Sequence, residues 1–396
     1  MDKVRTAFIG VGYRGKQLFR LLQNIPFFQV QAVADPGVKS SEISGIPCYN
    51  QGEDACLDML KEHHPELVFI ASPWQYHVQH ALLCVEHGCH VALEIKGGLY
   101  IDEYTPLMEL AEQHGCRVYP LENTLFMREN LSILNIVESG LLGEIVYMRG
   151  GYRHDLRHLL LDDAGNIGNR EKTESVWRSK FYQEENGDLY PTHGLDPLCM
   201  IAGINRKDRI RSLTSFASKP AGMLQRIKDL GGNTDVEIRT GDVVITQLET
   251  ENGILLSLTH DTTLPRPRSL DFEIQGTKGI WQGDRRLIYI EGSSPDETWE
   301  ADRTYIDCYE HSYWQQWGRK ALEVDSHHQG MDYIMLRCVA AELTKNASAD
   351  STGSIRYPAT LSDLALWTSV TLLSEISIRE HRRVAFGNIK NIGDNE

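Results

Sequence analysis

The first 22 residues place the strongest constraint on the fold. An apolar run at residues 4–9 predicts a buried strand, and Gly10, Gly12 and Gly15 follow it with the spacing G-x-G-x-x-G. Residues 16–22 then predict a helix with leucines on one face. In such a unit the first glycine permits the tight turn, the second lets a phosphate approach the backbone, and the third lets helix and strand pack closely. Glycines also occur in ordinary turns, so the motif alone leaves both interpretations open.

The next strand favours a dinucleotide. Residues 29–34 predict a second strand that ends at Asp35, twenty residues after Gly15. A carboxylate at this place accepts hydrogen bonds from an adenosine ribose and disfavours a 2′-phosphate. The pyrophosphate would lie on the unpaired N–H groups of the helix N-terminus. The sequence therefore predicts NAD(H), in preference to NADP(H), as the cofactor.

Strand and helix patterns alternate over residues 1–124. This alternation indicates an α/β fold, a Rossmann domain with a doubly wound parallel sheet. Ligands bind such sheets beyond the carboxyl ends of the strands. The segments that follow the predicted strands are residues 10–15, 35, 72–77, 94–96 and 122–126. We expect the site residues of this domain to lie there.

Residues 125–396 have a different pattern. After a helix at residues 129–139, short strands and glycine turns indicate an α+β domain with a mostly antiparallel open sheet. The predicted strands span residues 145–153, 210–216, 243–250, 254–262, 270–274 and 287–291. A long polar insertion at residues 155–196 interrupts them, and insertions of this length are usually functional. The sequence leaves open whether the C-terminal helices, at residues 329–343 and 361–378, pack on the first domain.

The composition excludes several classes of protein. Hydrophobic residues make up 41% and charged residues 24% of the 396 residues, as in ordinary globular proteins. A net charge of -15 argues against nucleic acid or an anionic membrane as the main partner. No apolar run is long enough for a membrane helix, and a first strand that begins almost at Met1 predicts no signal peptide. The eight cysteines form no C-x-x-C pair, which indicates reduced thiols, no metal site and a cytoplasmic protein.

Motifs along the chain resemble the glucose–fructose oxidoreductase/inositol dehydrogenase (Gfo/Idh/MocA) family. They are the turn Gly10-Val11-Gly12-Tyr13-Arg14-Gly15, the strand end Ser72-Pro73 followed by His77, and the region of Glu94. The resemblance implies a Rossmann domain joined to an α/β domain whose open sheet often mediates oligomerisation. A homodimer or homotetramer is therefore expected.

Two positions depart from the dehydrogenases of that family. Ile95 stands where their Glu-Lys-Pro motif has lysine, and Leu189 stands where their Asp-x-Gly-x-His motif has aspartate. His193 keeps the histidine of the second motif. An ordinary hydride-transfer site built on lysine, aspartate and histidine is therefore disfavoured.

A narrower resemblance fits these departures. The run Tyr190-Pro191-Thr192-His193-Gly194, with Trp177-Arg178 upstream, is similar to the NAD-dependent glycosidases of glycoside hydrolase family 109, the α-N-acetylgalactosaminidase family. Further matching segments lie at residues 72–77, 121–123, 152–157, 186–195 and 275–279. One position differs, because Phe126 stands where that family has a tyrosine implicated as the base for the sugar C2 proton.

The family chemistry that this resemblance implies is a redox-neutral cleavage of a glycoside. NAD⁺ oxidises the sugar at C3, the C2 proton is removed, the C1 substituent is eliminated, water adds and the hydride returns. The implied cofactor residues are Gly10, Gly12, Tyr13, Arg14, Gly15, Asp35, Ser72, Pro73, Trp74, His77, Glu94 and Asn123. The implied substrate residues are Arg178, Tyr152, His154, Arg157, Asn123 and Phe126.

Three residues are predicted to be catalytic. His193 is the general acid/base, because the unperturbed pKa of histidine lies near neutrality. Tyr190 would donate to a substrate oxygen or relay a proton, and Lys96 would replace the missing family lysine from the next position. Each has a plainer alternative: a core histidine, a packed tyrosine ring and a solvated lysine. Arg178 has the alternative of a surface salt bridge, and Phe126 that of core packing.

Three functions remain open at this stage. The first is a redox-neutral, NAD-dependent glycosidase, and the second is a net NAD(H)-dependent sugar or polyol dehydrogenase. The third is a non-catalytic protein that senses NAD or a sugar. The expected partner is a small carbohydrate substrate, with no nucleic acid and no membrane. Phe126, Ile95 and Leu189 favour the third function, because each departs from a family motif and Phe126 can carry no proton.

Overall fold

The computed structural model describes residues 3–38, 43, 45–52, 54–168, 173–344 and 356–387. The chain forms two compact units. The first unit lies within residues 1–127 and 312–366, and the second within residues 128–311 and 367–389. The limits predicted from sequence, 1–124 and 125–396, stay a prediction.

Strands and helices alternate in the first part of the chain and then group together. The strands are β1 (Val4–Ile9), β2 (Phe28–Ala34), β3 (Cys48–Tyr49), β4 (Leu67–Ile70), β5 (His90–Leu93), β6 (Val118–Pro120), β7 (Ile145–Arg153), β8 (Ile210–Ala217), β9 (Val243–Thr250), β10 (Leu255–Asp261), β11 (Glu273–Gly276), β12 (Gly279–Gln282), β13 (Leu287–Ile290), β14 (Glu300–Ala301) and β15 (Val384–Ala385). The α-helices are α1 (Tyr13–Leu22), α2 (Ala55–His63), α3 (His77–Glu86), α4 (Tyr104–His114), α5 (Arg128–Glu138), α6 (Arg157–Leu160), α7 (Thr173–Glu184), α8 (Thr192–Ala202), α9 (Ala221–Asp229), α10 (Arg303–Cys308), α11 (Ser312–Val324), α12 (Met331–Leu343) and α13 (Leu361–Glu380).

The first unit contains a parallel sheet with the strand order β3-β2-β1-β4-β5-β6. Strands buried on both faces have nearly continuous apolar sequences, as β1 and β4 do. The ring of Phe8 is fully buried and stacks on Phe69 with centroids 4.9 Å apart. The strand order reverses between β1 and β4, and ligands bind at such a reversal. The predicted doubly wound Rossmann sheet is confirmed.

The second unit contains a nine-stranded sheet with the order β14-β13-β12-β11-β7-β10-β9-β8-β15. Neighbouring strands are antiparallel except for β7 and β10, which run parallel. The prediction of a mostly antiparallel sheet is therefore confirmed. Short hairpins join β9 to β10, β11 to β12 and β12 to β13, whereas the parallel strands β7 and β10 are separated by a long connection that contains β8 and β9.

One strand of the sequence interpretation was placed wrongly. The strand predicted at residues 270–274 begins later, at Glu273, because Asp271 has a φ of +53°, which is incompatible with a strand. The stretch predicted as a polar insertion, residues 155–196, contains α6, α7 and the start of α8.

Glycine contacts fix α8 against β7. A Cβ on Gly194 would lie 2.4 Å from the backbone nitrogen of Gly151. A Cβ on Gly150 would lie 2.5 Å from the carbonyl oxygen of Gly194. The backbones of helix and strand therefore touch, which glycine alone permits. This contact sets the position of His193, the residue before Gly194, relative to the end of β7.

The longest helix in the described part of the chain is α13, with 20 residues. It contains Asp363, Glu375, Arg379 and Glu380. Among the described residues, no helix combines the length and the apolar character needed to cross a bilayer.

We expect Gly194→Ala to destabilise the second unit, because the added methyl group would lie 2.4 Å from a backbone atom that cannot move freely. The expected loss in the free energy of unfolding is about 1–3 kcal/mol, measured by urea denaturation. Gly387→Ala is the control, since no described atom lies within 4 Å of its Cβ position. Equal stability of both variants would show that α8 and β7 are not in direct backbone contact.

Candidate cofactor and substrate sites

The glycine turn between β1 and α1 has the geometry that a dinucleotide requires. Gly10 has a φ of +87°, and a Cβ there would lie 2.5 Å from the backbone nitrogen of Ser72. A Cβ on Gly15 would lie 2.2 Å from the carbonyl oxygen of Gly10. Gly12 faces open space, with no described atom within 4 Å of its Cβ position. An open second glycine at a helix N-terminus fits a pyrophosphate.

Asp35 follows β2 and is held against the same turn. Its Oδ2 accepts the N–H of Val11 at 2.7 Å, and its Oδ1 accepts the N–H of Gly37 at 2.7 Å. Two backbone donors fix the orientation of the carboxylate, and each oxygen keeps capacity for another donor. The arrangement fits the hydroxyl groups of an adenosine ribose.

Side chains after β4 and β5 form one cluster. Nε1 of Trp74 donates to the carbonyl oxygen of Ile95 at 3.2 Å, and Nε2 of His77 donates to the carbonyl oxygen of Ser72 at 2.5 Å. Lys96 is only 1% exposed, and its Nζ lies 5.3 Å from the centroid of the Trp74 ring. The burial of Lys96 excludes the alternative of a solvated lysine.

Two other predicted cofactor residues lie at the edges of these turns. Tyr13 is 59% exposed, and its hydroxyl lies 3.5 Å from Nε2 of His327. Pro73 directly precedes a short 3-10 helix, Trp74–Tyr76. Tyr13 follows β1 and Pro73 follows β4, so both lie beyond the carboxyl ends of strands, where ligands bind such sheets.

Arg14 belongs to a buried ion-pair network. Its Nε donates to Glu94, and its Nη1 and Nη2 donate to Asp332 at 2.5 and 2.9 Å. Asp332 also accepts Nδ2 of Asn123 at 2.9 Å and contacts Nδ1 of His328 at 2.8 Å. The sequence did not identify Asp332 and His328, because neither belongs to a motif and both lie more than 300 positions from Arg14.

The pKa shifts in this network have opposite signs. Burial alone would raise the pKa of Asp332, but Arg14 and His328 together hold the pKa well below its usual range. Burial raises the pKa of Glu94, although Arg14 opposes the shift. Arg14 and His328 therefore outweigh the burial of Asp332, whereas Arg14 offsets that of Glu94 only in part.

Three side chains of this region have the spacing of metal ligands. Ligand atoms of Asp325, His328 and Asp332 lie within 4.8 Å of one another. However, Oδ2 of Asp325 accepts the N–H groups of Asp332 and Tyr333, at 3.0 and 3.3 Å, and Asp332 is paired with Arg14. A cation would compete with the guanidinium for the same oxygens. We interpret the cluster as part of the ion-pair network, and the absence of a metal site stays a prediction.

Phe126 lies at the end of a short 3-10 helix, Asn123–Phe126, and is fully buried. Its ring centroid lies 5.4 Å from that of Tyr357, and its carbonyl oxygen accepts Nε1 of Trp314 at 2.9 Å. These contacts favour the core-packing alternative for Phe126. Its predicted role in substrate binding stays a prediction.

An aromatic cluster in the second unit surrounds His193. The ring centroids of Tyr152, Tyr190 and His193 lie 4.8–5.3 Å apart. His193 occupies the first turn of α8 and is partly exposed. The N–H of Tyr190 donates to Oδ1 of Asp188 at 3.2 Å, which fixes the start of the motif. Adjacent hydroxyl and imidazole groups can bind sugar hydroxyls and exchange protons with them.

Arg178, on α7, borders this cluster. Its Cζ lies 5.8 Å from the ring centroid of Tyr190 and 5.2 Å from that of Trp177. Its Nη2 forms an ion pair with Oε2 of Glu174 at 3.8 Å, four positions earlier on α7. The Arg178 side chain is only 14% exposed and packs on aromatic rings, so this pair is not a fully exposed surface salt bridge.

His154 and Arg157 have different surroundings. The His154 ring centroid lies 6.1 Å from that of Tyr152, and burial, followed by the charge of Arg268, lowers its pKa. Arg157 donates to both oxygens of Asp155, at 2.9 and 2.7 Å. The structure thus brings His154 to the aromatic cluster, whereas Arg157 is paired with a carboxylate two positions earlier.

Two sequence profiles match the chain. The profile "Oxidoreductase family, NAD-binding Rossmann fold" matches residues 4–121, and "Glycosyl hydrolase 109, C-terminal domain" matches residues 126–387. A glycosyl hydrolase family 109 protein of Stenotrophomonas maltophilia is 34% identical, over 95% of this chain and 86% of the relative. An alpha-N-acetylgalactosaminidase of Tannerella forsythia is 32% identical, over 95% of this chain and 83% of the relative.

Solved structures share the fold at low identity. An inositol dehydrogenase homologue of Azotobacter vinelandii, complexed with NAD⁺, aligns with a TM-score of 0.69, 16% identity and 97% of each chain covered. The WlbA dehydrogenase of Bordetella pertussis, in complex with NADH and UDP-GlcNAcA, has a TM-score of 0.67, 16% identity, and covers 97% of this chain and 98% of that chain.

The N-terminal profile and the glycine turn agree on NAD as the cofactor, and the second profile covers most of the chain. The protein belongs to glycoside hydrolase family 109 and is an NAD-dependent enzyme of the Gfo/Idh/MocA type.

Proposed function

We propose that the protein cleaves a hexose or hexosamine glycoside by a redox-neutral route. The observation that carries the proposal is the cluster of Tyr152, Tyr190 and His193, with ring centroids 4.8–5.3 Å apart. The cluster lies within the residues matched by the family 109 profile, in a chain that also has an NAD-binding Rossmann domain. A relative that is 32% identical is named an alpha-N-acetylgalactosaminidase.

The cofactor supplies reversible oxidation at sugar C3, which acidifies the proton at C2. The protein must then bind the sugar and move protons at three of its atoms. His193 exchanges a proton with a sugar hydroxyl, because it is partly exposed and an imidazole can both accept and donate a proton. Tyr190 donates to a substrate oxygen or relays the proton, since its ring lies 4.9 Å from that of His193. Such a reaction does not need the flanking carboxylate pair of ordinary glycosidases.

Other side chains bind and orient the sugar in this proposal. Arg178 donates to substrate hydroxyls from its rigid fork, and Tyr152 and His154 contribute the adjacent polar edge. Arg157 holds Asp155 and so braces the start of α6. Lys96, buried beside Trp74, replaces the family lysine as a proton-exchanging group.

The cofactor residues are also proposed residue by residue. The backbone of Gly10, Gly12, Tyr13, Arg14 and Gly15 holds the pyrophosphate, and Asp35 accepts the adenosine ribose. The nicotinamide half is bound by residues after β4, β5 and β6, namely Ser72, Pro73, Trp74, His77, Glu94 and Asn123. Phe126, which ends the same 3-10 helix as Asn123, is proposed as a wall of the substrate pocket.

We further propose that the protein is a cytoplasmic homodimer or homotetramer. Phe216, Ile245 and Leu255 are exposed on one face of the second sheet, Phe216 by 67%. Exposed apolar side chains on a sheet face favour association with another copy. All eight cysteines are free, which agrees with a reducing compartment.

Turnover of nitrophenyl hexosides and hexosaminides in D₂O tests the proposed reaction. We expect release of the sugar with deuterium at C2 and no accumulation of NADH, measured by mass spectrometry and absorbance. His193→Gln should lower kcat by at least about 100-fold, as expected for loss of a general acid/base. His114→Gln, an exposed histidine at the end of α4, is the control and should keep the rate.

Other outcomes of that experiment point to the other functions. Stoichiometric NADH with a free sugar would show a net dehydrogenase. A sensor would bind NAD without turning over any substrate. In that case His193→Gln would still bind the sugar.

The role of Asp35 gives a separate test. Asp35→Asn should weaken NADH binding by about ten-fold, because the carboxylate accepts the ribose hydroxyls. The preference for NADH over NADPH should also become smaller, because the carboxylate disfavours a 2′-phosphate. Fluorescence titration with both nucleotides measures this. Asp54→Asn, an exposed carboxylate before α2, should change neither affinity. Unchanged NADH affinity in Asp35→Asn would contradict the assignment.

His77 is proposed to shape the site and not to exchange protons, since burial lowers its pKa to about 4. In the unfolded chain this histidine is protonated below about pH 6.5, whereas in the folded protein it stays neutral down to about pH 4. As the pH falls from 6.5 to 4, its contribution to the free energy of unfolding should therefore decrease by about 3 kcal/mol, with no further loss below pH 4. Urea denaturation of wild type and His77→Gln at pH 7 and 4.5 measures the difference. The control variant His114→Gln should show the same pH dependence of stability as the wild type. If His77→Gln also shows the wild-type pH dependence, the lowered pKa of His77 is contradicted.

A further inference from the structure

The carboxylate of Asp332 connects three residues of the cofactor site. It accepts both Nη atoms of Arg14, at 2.5 and 2.9 Å, and Nδ2 of Asn123 at 2.9 Å. Through Arg14 it is connected to Glu94 at the end of β5. Asp332 itself is 2% exposed and lies on α12, more than 200 positions beyond the Rossmann strands.

We propose that Asp332 is a positioning residue of the NAD site, which acts by fixing the side-chain amide of Asn123 and the guanidinium of Arg14. The inference rests on the proposed role of Asn123 at the cofactor. It adds α12 to the elements that form the site.

The orientation of the Asn123 amide is the first argument. An ionised carboxylate only accepts hydrogen bonds, so Asp332 requires the NH₂ group of Asn123 to face it. The opposite atom, Oδ1 of Asn123, is buried and has no hydrogen-bond partner in the described part of the chain. A buried acceptor without a donor is costly, and a bound ligand with a hydroxyl or amide group would satisfy it. Asp332 therefore presents Oδ1 of Asn123 to such a donor.

The geometry of Arg14 is the second argument. Its guanidinium binds Asp332 with two nitrogens and Glu94 with the third. A guanidinium held by two carboxylates contributes no net positive charge to a nearby pyrophosphate. The phosphate must then be bound by the N–H groups at the start of α1. Arg14 instead sets the position of the Glu94 carboxylate.

Asp332 is itself held rigidly. Its N–H and that of Tyr333 donate to Oδ2 of Asp325, at 3.0 and 3.3 Å. Nδ1 of His328 lies 2.8 Å from its Oδ2. The residue occupies the first turn of α12, where the helix dipole stabilises a negative charge. Its carboxylate therefore has a fixed direction before any ligand binds.

The test compares Asp332→Asn with Asp363→Asn in the full chain. Asp363 is a matched control, since it is also buried in the first unit and bonds Thr360 at the start of α13. NAD⁺ affinity is measured by calorimetry, and the thermal stability of the cofactor-free protein is measured separately. We expect Asp332→Asn to weaken NAD⁺ binding by about ten-fold and Asp363→Asn to lower only the melting temperature. Equal NAD⁺ affinity in wild type and Asp332→Asn would overturn the proposal.

A double-mutant cycle separates positioning from the role of Asn123 itself. Asn123→Ala alone should weaken NAD⁺ binding. In the Asn123→Ala background, Asp332→Asn should weaken it by less than a further factor of about three, because the partner of Asp332 is already gone. If the losses of affinity from the two single substitutions multiply in the double variant, Asp332 does not act through Asn123. If Asn123→Ala leaves the affinity unchanged, the proposed cofactor role of Asn123 fails instead.

A milder variant covers the case in which Asp332→Asn does not fold. His328 is partly exposed, and His328→Ala removes one contact to Asp332 while leaving the ion pair with Arg14. We expect a two- to five-fold loss of NAD⁺ affinity, about the size of one hydrogen bond, with little change in melting temperature. A folded His328→Ala variant with wild-type affinity would then count against the proposal.

Discussion

Both units depend on a backbone contact that only glycine allows. In the first unit, a Cβ on Gly15 of α1 would lie 2.2 Å from the carbonyl oxygen of Gly10. In the second, a Cβ on Gly194 of α8 would lie 2.4 Å from the nitrogen of Gly151. A helix that touches its sheet through backbone atoms cannot shift without breaking that contact. The residues that precede these two helical glycines, Arg14 and His193, are therefore positioned by the main chain.

Buried charge is the second constraint, and it is concentrated where the cofactor residues lie. Arg14 faces both Glu94 and Asp332, and burying ions is costly unless each is paired. The pKa of Asp332 is lowered while that of Glu94 is raised, so the compensation is unequal. One oxygen of Glu94 accepts Nε of Arg14, and the other accepts the N–H of Ile95 at 3.0 Å. These donors offset the burial of Glu94 only in part, because its pKa stays raised.

Local patterns were sufficient for most of the fold and part of the site. The limits of β1, β7 and β9 agree with the predicted limits, because the residue pattern of each strand differs clearly from that of its flanks. Residues within one motif, such as Tyr190 and His193, were identifiable together. Asp332 was not, since its partner Arg14 lies 318 positions away and pairing over that distance depends on tertiary packing. The left-handed conformation of Asp271, which displaced a predicted strand, is likewise set by tertiary contacts.

A buried charged residue lies next to each position that departs from the dehydrogenase motifs. Ile95 and Leu189 are buried apolar residues, 5% and 1% exposed, where the related dehydrogenases have lysine and aspartate. The next residue, Lys96, and the preceding one, Asp188, are buried as well, 1% and 2% exposed. A buried charge is retained only where it is bound or used, because desolvation is costly. Asp188 is bound in this sense, since its Oδ1 accepts the N–H of Tyr190 at 3.2 Å and so fixes the turn that leads to His193. Lys96 packs beside the Trp74 ring at the end of β5, so each departing position has a buried charge in the same turn.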